Sequence, residues 1–145
     1  MVLNIKAILN VETEVTSLYT PSIKTFNIVT ERMSDNCLPI IIGEGICIWL
    51  TPDGALGEIE CIYPNISTDL YSPQIQQKVI GTPLFYINDI QSNGICVKEF
   101  YEGFIICFSS ENEIEIEVIQ GNISYFFTQN ILVAIGAKRM KLIKD

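Results

Sequence analysis

The side chains best placed to do chemistry in this sequence are carboxylates at alternate positions. Glu111, Glu113, Glu115 and Glu117 run through Glu-Asn-Glu-Ile-Glu-Ile-Glu-Val, and Glu58 and Glu60 repeat the pattern in Gly-Glu-Ile-Glu-Cys-Ile. On a strand, successive side chains point to opposite faces. Glu113, Glu115 and Glu117 therefore share one face, with Glu111 entering from the preceding turn, while Ile114, Ile116 and Val118 point into the core. Likewise Glu58 and Glu60 face out, and Ile59 and Cys61 face in. Carboxylates two residues apart lie about 7 Å from each other. Their repulsion costs about 0.6 kcal/mol per pair in water, and less where salt screens it. From Glu99 to Ala137 there are six Glu and no Lys or Arg to offset it. Two explanations compete. The row is a solvated face that keeps an exposed strand from pairing wrongly, with cross-strand partners from Lys138, Arg139, Lys141 and Lys144 if the last strand lies alongside. Alternatively it is an acidic platform for a basic partner, which steers association and sets specificity more than raw affinity.

Other chemistries lack their residues. The chain has no histidine, so the usual acid–base and nucleophilic constellations are missing. Gly43-Glu44-Gly45 has neither the further glycine nor the lysine of a phosphate loop. A carboxylate pair could hydrolyse glycosides, but it is a weak signal among seventeen acids; the expectation is that the protein is not an enzyme. The five cysteines, Cys37, Cys47, Cys61, Cys96 and Cys107, form no C-x-x-C pair. They read as buried free thiols acting as small hydrophobes. No cofactor is expected. If the acids were metal ligands, Glu58, Glu60 and the Glu113–Glu117 row would supply them, but calcium prefers oxygens presented by loops of defined geometry.

The elements that must position these residues are strands. Val2 to Leu9, Lys24 to Val29, Ile46 to Leu50 and Leu56 to Tyr63 are strand runs. Thr51-Pro52-Asp53-Gly54 joins the last two as a hairpin, since Pro presets φ and Gly accepts positive φ. The second half reads as a continuous meander: Ile95 to Phe100, Phe104 to Phe108, Glu113 to Ile119, Ile123 to Phe127, Ile131 to Ile135 and Arg139 to Ile143, with turn residues between them. One short helix is expected from Ser72-Pro73, an N-cap followed by Pro. Ile75 and Val79 share a face at i, i+4, and Gly81 ends it. Met33 to Pro39 reads as a loop, and Asn10 to Pro21 as strand or loop. Tyr125, Phe126 and Phe127 put aromatic surface on both faces of one strand, which argues for cover on both sides. The expected fold is a mainly β single domain over residues 1–145, an antiparallel β-sandwich or open barrel with a long C-terminal meander.

Length and composition narrow the partners. At 145 residues with 48% hydrophobic content, the chain is long enough to bury a core without staples. Its apolar runs are far shorter than the roughly 20 residues of a membrane helix, and no charged leader precedes an apolar stretch, so a cytoplasmic location is expected. A net charge of −8 argues against nucleic acid and anionic membrane and leaves a cationic macromolecule as the natural partner. Trp49, of the type enriched in interface hot spots, falls with the outward set if Ile48 and Leu50 are core.

The segment Ile48-Trp49-Leu50-Thr51-Pro52-Asp53-Gly54-Ala55-Leu56-Gly57-Glu58-Ile59-Glu60 resembles stretches in small acidic immunity proteins of bacterial toxin–immunity pairs, including those of contact-dependent growth inhibition. The resemblance covers about a dozen residues by pattern and the rest by size and acidity. It implies a cytoplasmic monomer that binds one cognate cationic toxin domain, a nuclease such as an RNase, in a 1:1 complex and covers its active or substrate-binding site. Carboxylates would pair with the Lys and Arg that hold nucleic-acid phosphates. Read from the residues themselves, the partner-binding set is Glu58, Glu60, Glu111, Glu113, Glu115, Glu117 and Trp49. The alternative is a structural or assembly β-sandwich subunit of a phage or secretion apparatus.

Overall fold

β-branched and aromatic residues fill nearly every run between the turn signals, and such residues pack well on a pleated surface. The computed structural model describes residues 2–67, 69–88 and 94–144. Among these it has the strands β1 (Val2–Leu9), β2 (Val15–Thr20), β3 (Thr25–Thr30), β4 (Leu38–Gly43), β5 (Ile46–Leu50), β6 (Leu56–Ile62), β7 (Asn65–Ser67) and β8 (Gln74–Ile80). They are followed by β9 (Thr82–Asn88), β10 (Cys96–Phe100), β11 (Gly103–Cys107), β12 (Glu113–Gln120), β13 (Ile123–Thr128), β14 (Ile131–Ala137) and β15 (Lys141–Leu142).

The strands form two sheets. The smaller has the order β15-β2-β3-β6-β5-β4. The larger runs β7-β10-β11-β14-β13-β12-β8, with β1 bonded to β14 and β9 bonded to β1. Most pairs are antiparallel, but β10/β7, β12/β8 and β15/β2 are parallel, so both sheets are mixed. Neither sheet closes on itself; the architecture is a sandwich. Phe26, Ile28, Ile48, Ile59 and Cys61 of the smaller sheet share one buried cluster with Phe85, Val97, Phe104, Val118, Tyr125 and Ile135 of the larger. The rings of Phe26 and Phe104 meet between the layers at 4.8 Å. Among the described residues no helix is long and apolar enough to cross a membrane.

The hairpin at Thr51–Gly54 forms as its residues predict. Gly54 takes φ +100 and its N–H donates to the Thr51 carbonyl at 2.9 Å. A Cβ there would also lie 2.4 Å from the Phe85 carbonyl oxygen.

The expected helix after Ser72-Pro73 is instead β8, an edge strand of the larger sheet. A spacing of four fits a strand as well as a helix, because four is also a multiple of two. Seven residues are too few to hold a helix unaided, whereas the open edge of β12 offers a full ladder: Ile75 lies opposite Ile114 and Val79 opposite Val118. The only helical segment among the described residues is a 3-10 turn at Pro21–Ile23. The expected continuous meander is also interrupted. β11 and β12 are not neighbours; the chain crosses β14 and β13 between them, giving the order β11-β14-β13-β12, a Greek-key arrangement. The final run contributes only Lys141–Leu142, which leaves the larger sheet and pairs with β2. Asn10 to Pro21 resolves into β2, and the loop after Met33 ends where β4 begins at Leu38.

Candidate functional site

The smaller sheet presents its acids on an open outer face. Because Ile48, Ile59 and Cys61 are buried, their alternates point away from the core. Pairing registers align two rows across the sheet, Thr16–Val29–Glu58–Trp49–Pro39 and Leu18–Asn27–Glu60–Cys47–Ile41. Trp49 thus lies directly beside Glu58. The amide nitrogen of Asn27 donates to both carboxylates, at 3.2 Å to Glu58 and 3.3 Å to Glu60. Neither row contains a base; Lys141 on β15 extends the second beyond Leu18. Burial pushes the Glu58 carboxyl above its usual range, the Asn27 hydrogen bond opposes this, and the nearby Glu60 charge adds to it. Burial likewise raises the Cys47 thiol, with Glu60 and Glu58 contributing.

The acids of the larger sheet do not form one platform with these. They lie on the other layer, and they divide among themselves. Glu111 is exposed, and its side chain accepts from the backbone N–H groups of Asn112 at 3.1 Å and Glu113 at 3.0 Å, closing its own turn. Glu113 is exposed. Glu115 is exposed and accepts from the Gln129 N–H. Glu117 is only 5% exposed, and its carboxylate takes the Ser124 hydroxyl at 2.6 Å. Of the inward set, Ile116 and Val118 join the main core. Ile114 is fully buried but packs in a second, outer cluster with Phe126 and Ile75.

That outer cluster explains Glu117. Tyr125 and Phe127 of β13 sit in the main core, while Phe126 points outward and meets Tyr71 edge-on at 5.7 Å. The strand is covered on both sides, as its three aromatics predict, by the segment leading into β8. Between this cover and the sheet lies a groove of about 310 Å³ lined by Tyr71, Ile75, Phe100, Ile105, Phe126 and Gly136, with Glu117, Ser124, Lys78 and Lys138 among its polar groups. Lys78 is the register partner of Glu117 on β8. Lys98 lies over the Tyr71 ring at 5.8 Å.

All five cysteines are free: Cys37, Cys61 and Cys107 are buried and Cys47 and Cys96 partly so. Among the described residues no group of three His, Cys, Asp or Glu side chains could hold a metal ion. Sequence reasoning missed Asn27, Ser124 and Gly136. Asn27 and Ser124 carried one available signal, a polar side chain inside an otherwise apolar strand. Lys78 lies within the segment expected to form the short helix and falls on β8 instead. The two mixed sheets, packed face to face, define a mainly β protein of the sandwich class. No protein-family model matches the chain, and no curated protein matches it.

Proposed function

We propose that this protein is a non-catalytic binding protein of the toxin-neutralising immunity type, which meets a cationic toxin domain, such as a nuclease, with the outer face of the smaller sheet. The observation that supports this reading most is the Glu58–Glu60 pair, two carboxylates held together by Asn27 and half-buried beside Trp49, with Lys141 in register with Glu60 only beyond Asn27 and Leu18. A half-desolvated carboxylate gains more from an arriving guanidinium or ammonium than a fully hydrated one does. Trp49 offers an aromatic face for the same cation. Glu111, Glu113 and Glu115 on the other layer add to the long-range field that steers a basic partner.

The test is paired capture from the native host with the wild type and the Glu58→Gln/Glu60→Gln variant as baits, followed by reconstitution with the purified partner. A basic protein held by the wild type and bound at least about tenfold more weakly by the variant supports the reading. Equal retention by both baits contradicts it.

One observation favours a second reading, an assembly subunit. Among the described residues strand β4 ends the smaller sheet, with Leu38 67% and Ile41 69% exposed and no charged residue along it. Such an edge is a template for strand pairing with another chain. Sedimentation of the wild type against Ile41→Lys distinguishes this reading, since an assembly edge would lose self-association when charged.

A further inference from the structure

We infer that the groove on the outer face of the larger sheet is a binding site for a small zwitterion with an apolar body, of the α-amino acid class. The inference does not depend on the proposed partner surface, which lies on the other layer.

The register builds the groove from adjoining rows. One row runs Ile105–Gly136–Ser124–Ile119 and the next Cys107–Ala134–Phe126–Glu117–Lys78. Gly136 leaves a gap between Ile105 and Phe126. A Cβ built there would stand 3.4 Å from Ile105 and 3.5 Å from Phe126, ordinary contact distances. Nothing about the backbone at Gly136 demands glycine, because its φ is not among the positive ones. The glycine therefore lowers the groove floor by the width of a methyl group, which the chain path does not require.

The polar groups are arranged by depth. Glu117 is buried, and the bond from Ser124 satisfies one oxygen of a carboxylate that offers about four acceptor sites. The acceptor sites that Ser124 leaves open on Glu117 suit a ligand with several donors. Lys78 and Lys138 are exposed where they line the groove. Tyr71 contributes its ring, set edge-on to Phe126, to the lining of the groove. Phe126, Ile105 and Phe100 supply an apolar wall.

A simple amine would satisfy Glu117 but be repelled by two lysines. A simple carboxylic acid would satisfy the lysines but face Glu117. A zwitterion meets both, its ammonium toward Glu117 and its carboxylate toward Lys78 and Lys138, with its side chain over Gly136 against Phe126 and Ile105. The volume of about 310 Å³ falls at the lower end of ligand pockets, which suits a molecule of this size.

The test is a titration of the full chain with L-leucine, L-methionine and L-phenylalanine, followed by amide chemical shifts and calorimetry. The controls are 3-methylbutylamine and 4-methylpentanoate, which lack the carboxylate and the ammonium of leucine respectively. At least one amino acid should bind and shift the amides of Ile105, Glu117, Ser124 and Gly136 together. Both leucine analogues should bind at least about tenfold more weakly than leucine. Glu117→Gln should weaken amino-acid binding to a similar degree, and Gly136→Val should abolish it by filling the gap. The wild-type shift map stands even if a variant does not fold. No binding at about 10 mM by any of the three amino acids, shifts that cluster elsewhere, or an amine that binds as well as the zwitterion would each overturn the inference.

Discussion

Glu58 on β6 and Glu117 on β12 hold matching places, mid-strand on the outer faces of their sheets, and they meet opposite surroundings. Around Glu58 the outer face of the sheet is half-buried. Its neighbours are Trp49 and Val29, and Asn27 is shared with a second carboxylate. Around Glu117 the chain folds back: the segment through Tyr71 and Ile75 covers Phe126, and the carboxylate ends up buried with Ser124. The difference comes from what lies beside each strand. β6 sits in the interior of its sheet between β3 and β5, whereas β12 borders the edge strand β8, whose approach lays Tyr71 across the face. Similar acidic alternation therefore produces an outward-facing acidic pair on one layer and a lined groove on the other.

The comparison breaks most sharply on the aromatic residues of the two faces. Phe126, 7% exposed, should behave as core, so that Phe126→Ala costs about 3–5 kcal/mol. Trp49→Ala, on the open face, should cost about 1 kcal/mol. Urea denaturation of both variants checks this, and equal losses would show that the smaller sheet is also covered. Next in size is Ser124→Ala, which leaves the buried Glu117 carboxylate without its donor and should cost about 1–3 kcal/mol. Asn27→Ala removes an equivalent donor from carboxylates that stay in contact with water and should cost about 1 kcal/mol or less.

The smallest effect is a pH dependence. Burial raises the folded-state Glu58 carboxyl, and the charge of Glu60 adds to it. The folded chain then keeps that proton to higher pH than the unfolded chain does, so stability falls as pH rises from the unfolded toward the folded value, and the deficit persists at neutral pH. Glu58→Gln removes the deficit. Because the side chain remains in contact with water, the gain at pH 7 should be no more than about 0.5 kcal/mol, with a flatter stability profile just above the usual carboxylate range. A variant that gains stability while losing its partner would mark Glu58 as a residue kept for binding.

Much of this was readable beforehand, and the reasons are local. The Thr51–Gly54 hairpin was legible because Pro and Gly impose their own dihedral limits. The outward set of Trp49, Glu58 and Glu60 was legible because period-two alternation needs no knowledge of neighbours. The cover over β13 was legible from Tyr125, Phe126 and Phe127 as a need, but not by what means it is met. What failed was non-local. Ile75 and Val79 suit a helix and a strand equally, and only the free edge of β12 decides between them. The Greek-key crossing between β11 and β12 leaves no mark in the five residues that make it. The burial of Glu117 depends on Tyr71, more than forty positions away in the sequence, so alternation alone placed it with Glu113 and Glu115 in water.

The central claim is that the open acidic face of the smaller sheet meets positive charge on another protein. The most direct measurement is the association rate of the captured partner as a function of ionic strength, for the wild type, Glu58→Gln/Glu60→Gln and Glu113→Gln/Glu115→Gln. The account predicts the largest slowing, about tenfold at low salt, for the Glu58/Glu60 pair, a smaller one for Glu113/Glu115, and convergence of all three at high salt. Unchanged association of the Glu58/Glu60 variant would contradict it.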